Sequence, residues 1–110
     1  GSPVREFIYV GDAAEAVARL LETDFYEPLN IGTGVGTSIK ELAELTAKHT
    51  GFKGEIVWDT TKADGVMRKV LDVSKMKEVL NWEPQYSLDE GLKKTITWYL
   101  ANKTEADARQ

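Results

Sequence analysis

The chain has no cysteine, which excludes disulfides, thiolate metal sites and a cysteine nucleophile and fits a cytoplasmic setting. Its single histidine, His49, stands near the end of a helical stretch, where a cation complements the helix dipole. A metal or general-base role lacks the partners it needs there. No apolar run approaches the length of a membrane span, and no signal-peptide pattern opens the sequence. An excess of positive charge is also missing: the formal charge is −4, which argues against broad binding to nucleic acid or an acidic membrane and leaves room only for small basic sites.

What is present describes one modest globular unit. The 110 residues are 42% hydrophobic and 29% charged, ordinary values for a folded domain with a single core. Against this acidic background one stretch stands out, Asp59-Thr60-Thr61-Lys62-Ala63-Asp64-Gly65-Val66-Met67-Arg68-Lys69-Val70-Leu71-Asp72. Lys62, Arg68 and Lys69 place three cations close together, with Asp64-Gly65 as a tight turn between them. An arginine fork and mobile lysine charges suit a diphosphate. By composition alone the same residues also make a solvated surface turn, the plainer reading until something else points to a ligand.

Taken in order, Arg5 to Val10 is rich in aromatic and β-branched residues and reads as a strand. Asp12 reads as the N-cap of a first helix, with Glu15 in capping-box register and Ala13, Ala16, Val17, Leu20 and Leu21 as its inward stripe. Leu29-Asn30-Ile31 is a short extended piece before Gly32-Thr33-Gly34-Val35-Gly36. Thr37 or Ser38 caps a second helix, with Ile39, Leu42, Ala43 and Thr46 inward and Gly51 as its left-handed stop. Glu55-Ile56-Val57-Trp58 and Lys69 to Val73 read as two further strands. Ser74 opens a short helix that exits at Asn81, and Ser87 with Glu90 opens the last, with Leu88, Leu92, Thr95, Ile96 and Tyr99 inward. From Ala101 onward the chain is polar and expected to fray. Four helices and four short strands result, too scattered for a substantial sheet.

Several residues invite a chemical role. The Gly32-x-Gly34-x-Gly36 run precedes a helix, yet it lacks the full strand, glycine spacing and later acidic residue of a dinucleotide fingerprint, so a structural turn is the better reading. Arg5 opens a strand at a sheet end, where ligands often bind. Glu6 and Asp12 are acid/base candidates, although the capping role already accounts for Asp12. Trp82 and Trp98 are expected in the core, whereas Trp58, next to the charged loop, is placed to wall a pocket.

Arg5-Glu6-Phe7-Ile8-Tyr9-Val10-Gly11-Asp12, Asn30-Ile31-Gly32-Thr33-Gly34 and Ser38-Ile39-Lys40-Glu41-Leu42-Ala43 together resemble the C-terminal part of extended short-chain dehydrogenases that act on nucleotide sugars, the NAD-dependent epimerase/dehydratase family. The loop from Lys62 to Ser74, with Leu80-Asn81-Trp82-Glu83-Pro84 after it, is most similar to the GDP-L-fucose synthase branch, NADPH-dependent 3,5-epimerase/4-reductases. Three positions depart from that pattern: Gly11 stands where the branch has aspartate, and Ala63 and Met67 where it has proline.

The resemblance implies an α/β protein, α+β as an isolated piece, in which residues 1–103 form a mainly helical C-terminal nucleotide-sugar-binding domain and 104–110 a polar tail. Arg5, Asp64 and Lys69, with Arg68 beside them, match positions that contact a GDP-sugar. The resemblance places the cofactor loop and the catalytic Tyr-x-x-x-Lys pair in the family's N-terminal Rossmann half, outside the part that these residues resemble. NADP is therefore implied for the full-length family and not for these residues alone. A face bared by the missing half implies a homodimer or a domain swap. A freestanding partner-binding module, and a fragment of another NDP-sugar epimerase or dehydratase, remain the alternatives.

Overall fold

The computed structural model describes residues 1–109. Its elements are β1 (Val4–Arg5), α1 (Val10–Leu21), β2 (Thr37–Ser38), α2 (Ile39–Thr50), α3 (Ser74–Leu80), α4 (Leu88–Ala101) and α5 (Lys103–Ala108). The chain is mainly helical with very little strand, as its resemblance implied. β1 and β2 pair antiparallel, with Val4 opposite Ser38 and Arg5 opposite Thr37. On its other side Val4 makes a parallel bridge to Arg68, so β1 is the middle of a minimal three-segment ribbon.

The local signals for helix ends hold in the structure. The Ser38 hydroxyl accepts the Glu41 amide at 3.1 Å, and Ser87 accepts the Glu90 amide at 3.2 Å while donating to the Glu90 carboxylate at 3.0 Å. Gly51 and Asn81 take the left-handed exits at φ 69° and 46°. Two caps differ from expectation. Ser74 is capped by the Asp72 carboxylate, which accepts its amide at 3.0 Å. Helix α1 starts at Val10, with Tyr9 as an N-cap that offers no side-chain bond.

Asp12 is thereby freed for a different job. Its carboxylate is 3% exposed and accepts the amides of Gln85 and Tyr86, both at 3.0 Å. Two charge-assisted bonds to otherwise orphaned amides outweigh a cap that the helix can do without. Asp12 thus joins the start of α1 to the entry of α4.

Of the four expected strands only the start of the first survives. Residues 29–31 and 55–58 find no ladder partner, and a lone extended segment has nothing to pair its amides with. Trp98 is another correction: it is 51% exposed, while Trp82 joins the core as expected. Residues 104–108 of the tail lie within α5.

The core is small. Ala16, Val73, Met76, Leu80 and Trp82 are buried, with Leu20, Leu29, Ile31 and Val79 against them. It lies between α1 and α3. Helices α2 and α4 pack as a second layer, joined by His49 Nε2 to Asp89 Oδ1 at 2.8 Å. Val17 and Leu21, expected inside, are 50% and 82% exposed, and Val10 is 71% exposed.

The radius of gyration is 16.4 Å, against about 13 Å for a compact domain of this length. The accessible surface is 8090 Å², where a compact monomer of this mass exposes roughly 6,100 Å². Surface that a finished domain covers is open here.

Candidate functional site: a cationic loop against the first strand

The site begins with two backbone bonds. Val4 donates to the Met67 carbonyl at 2.8 Å, and Lys69 donates to the Val4 carbonyl at 3.0 Å. The charged loop is therefore laid along β1, the strand that carries Arg5. Gly65 turns the loop at φ 70°, the left-handed region that glycine occupies without strain. A Cβ built on Gly65 would have the Arg5 guanidinium, at 3.9 Å, as its neighbour. Arg5 also donates to its neighbour's carbonyl, Val4 O, at 2.9 Å. Arg5 and the Asp64-Gly65 turn are thus close in space.

Side chains alternate along extended backbone, so Arg5 and Lys69 step to one face of the ribbon and Val4 and Arg68 to the other. The surroundings of Gly36 agree. A Cβ there would meet Val4 Cγ1 at 2.6 Å and Arg68 Nη1 at 3.2 Å. The loop and β1 converge, but the two arginines do not share a face.

Among the described residues, none of Arg5, Lys62, Arg68 and Lys69 is in an ion pair, whereas Arg19, Lys40, Lys48, Lys75, Lys77 and Arg109 all are. Asp59, which opens the loop, is committed elsewhere: its carboxylate accepts the amide and hydroxyl of Thr61, which hold its pKa below the usual 3.8. Asp64 is exposed at the turn. The result is a group of unneutralised cations on an acidic protein, open to solvent and able to take an anion.

The glycine run plays a structural part. Glu6, following Arg5, accepts the amides of Thr33 and Gly34 at 3.2 Å each and of Leu71 at 3.0 Å. Its carboxylate fills the space in which a Cβ on Gly32 would lie. The amide of Val35 is taken by the Thr33 hydroxyl at 3.2 Å. With these amides engaged, the run does not fit the pyrophosphate of a dinucleotide cofactor. Sequence reasoning missed the Glu6 bonds because their donors lie 27 to 65 residues away.

The remaining candidates are placed as follows. Trp58 is 37% exposed, and its ring lies 3.0 Å from the position of a Gly1 Cβ, so it covers the N-terminus. Tyr9 packs edge-on to Tyr86, centroids 4.9 Å apart, and a Cβ on Gly11 would meet its ring at 2.5 Å. Gly11 is what lets that ring lie where it does. His49 has its partner in Asp89, which Lys48 also approaches at 3.7 Å. No group of acidic and histidine side chains suited to a metal occurs among the described residues, and no helix is long and apolar enough to cross a membrane.

This mainly helical chain matches the C-terminal part of Rossmann-type epimerases and dehydratases. The model of the GDP-mannose 4,6-dehydratase family matches residues 1–95, and the chain belongs to that family. It is 48% identical over 103 residues to GDP-L-fucose synthase 1 of Arabidopsis thaliana, covering 93% of this chain and 32% of that protein. Among solved structures it is similar to a UDP-glucose 4-epimerase of Thermotoga maritima, crystallised with UDP-glucose, at 38% identity and a TM-score of 0.84 over 93% of this chain and 33% of that one. It is also similar to RMD from Pseudomonas aeruginosa, solved with NADPH, at 26% identity and a TM-score of 0.75 over 84% of this chain and 30% of that one. The chain spans about a third of the length of these relatives.

Proposed function

We propose that residues 1–103 are the substrate-binding lobe of a GDP-L-fucose-synthase-like enzyme, and that they hold the diphosphate of a GDP-sugar. Arg5 and Lys69 grip the phosphates from one face of the ribbon, Asp64 contacts the ligand from the turn, and Arg68 supplies charge from the other face. The observation that carries this is the pairing of β1 with residues 67–69, which brings unpaired cations together. In such an enzyme the lobe fixes the sugar so that it faces a nicotinamide, NADP in this branch, bound by a Rossmann half. The lobe is not catalytic alone. Its setting is the cytoplasm, and its partners are the nucleotide-sugar, that Rossmann half and, in isolation, a second copy of itself through domain swapping or dimerisation.

Titration calorimetry of the 110-residue chain with GDP and GDP-mannose tests the reading. Heats that saturate support it, and their absence at millimolar ligand removes it. The similarity to a UDP-glucose 4-epimerase favours a second reading, in which the base is uracil. UDP and dTDP in the same cell decide between the two, since stronger uptake of UDP overturns the choice of guanine.

A further inference from the structure

The chemistry nearest Arg5 is that of Glu6, and its placement is unusual for a half-buried carboxylate beside an arginine. Alternation turns it to the face opposite Arg5. There its two oxygens take three backbone amides from two separate segments: Thr33 and Gly34 in the glycine run before β2, and Leu71 in the stretch leading from the charged loop to α3. Gly32 leaves the space that this carboxylate occupies. Leu71 lies two residues past Lys69, whose amide is bonded to Val4.

We propose that Glu6 is a positioning residue of the anion site: by clamping both segments to β1 it sets the distance between Arg5 and the 65–69 loop, and it keeps its own charge away from the Arg5 guanidinium. The functional consequence rests on the diphosphate reading above. A loose carboxylate next in sequence to Arg5 would compete with a phosphate for the same guanidinium. One saturated by three amides has little capacity left for it. The clamp also consumes the glycine-run amides, so an arriving phosphate is directed to the side-chain cations.

Glu6→Gln keeps the size of the side chain but replaces one acceptor oxygen with an amide donor, so it cannot accept all three bonds. Val79→Ala, in the layer packed on the α1–α3 core and away from the loop, serves as a control for lost stability. Two measurements are made well below both melting midpoints: hydrogen exchange of the Val4 and Lys69 amides without ligand, and the affinity for GDP. For Glu6→Gln we expect exchange at both amides to quicken several-fold beyond the control, and GDP affinity to fall about tenfold. Val79→Ala should leave the affinity at the wild-type value. Exchange no faster than in the control overturns the proposal, as does an equal loss of GDP affinity in both variants, which reports stability alone. If exchange quickens as expected while the wild-type chain takes up no GDP, the clamp stands and the diphosphate reading falls.

Discussion

The amide of Lys69 donates to the carbonyl of Val4 at 3.0 Å, and that bond places Lys69 beside Arg5 while leaving Arg68 on the reverse of the ribbon. The two faces should therefore contribute unequally to anion binding. A charge-assisted phosphate contact is worth about 1.5 kcal/mol at its weaker end, a little over tenfold in affinity. We expect Arg5→Ala and Lys69→Ala each to weaken GDP binding by roughly that factor. Arg68→Ala should change it by less, through long-range charge alone. Calorimetry at low and moderate salt checks this, because the two direct contacts should also lose strength as ionic strength rises. An Arg5→Ala, Lys69→Ala double variant that binds like wild type would remove the site.

How far all this could be read from the sequence depended on how far apart the partners were. Ser38 with Glu41, Ser87 with Glu90, Gly51 and Asn81 were legible because each cap closes within three or four residues. The charged loop and Arg5 were legible as chemistry. What brings them together, the bridge from Val4 to Arg68, spans most of the chain, and nothing local encodes it. Asp12 was misread for the same reason: its capping-box pattern is local, while the amides it serves are 73 and 74 residues on. The spacing of Val17 and Leu21 predicts an inward stripe, but an apolar pattern shows that a face is apolar without showing what lies opposite it. Here α3 covers the Ala16 side only.

The size of the core makes the fold sensitive to a single truncation. Met76 is fully buried, and among the described residues four others share its buried cluster. Met76→Ala should cost about 2–5 kcal/mol, a large part of the whole stability of a domain this small. Urea unfolding followed by tryptophan fluorescence reads the effect through buried Trp82. A loss below about 1 kcal/mol would mean that the site collapses around the cavity and that the α1–α3 contact is not the main source of stability.

The uncovered surface should drive association. The chain exposes roughly 2,000 Å² more than a compact monomer of its mass, an area of the order that specific interfaces bury in total. Val10, Val17 and Leu21 put apolar groups along the outer side of α1, and a contiguous patch of that kind seeks a partner. Sedimentation equilibrium is expected to show mass rising with concentration, and Leu21→Lys to shift the equilibrium toward monomer. A strictly monomeric wild type at high concentration would show that the open face is tolerated in water.

Acid should loosen the second layer. Asp89 accepts from His49 Nε2 at 2.8 Å, with Lys48 nearby at 3.7 Å, and the His49 bond leads the causes that hold its carboxyl below the usual 3.8. The sign follows from linkage: a carboxyl with a depressed folded pKa adds stability that is complete above its unfolded value and is lost as pH falls through the folded one. The α2–α4 contact should therefore be indifferent to Asp89 titration near neutrality and weaken below about pH 3.8. Asp59 and Asp72, lowered by Thr61 and Ser74, titrate in the same window, so wild type alone cannot isolate the clamp. Asp89→Asn can: the variant is expected to melt earlier at pH 6 and to lose less between pH 5 and pH 3 than wild type. Parallel melting curves for the two proteins across that range would show that the His49 pair contributes nothing to holding α2 on α4.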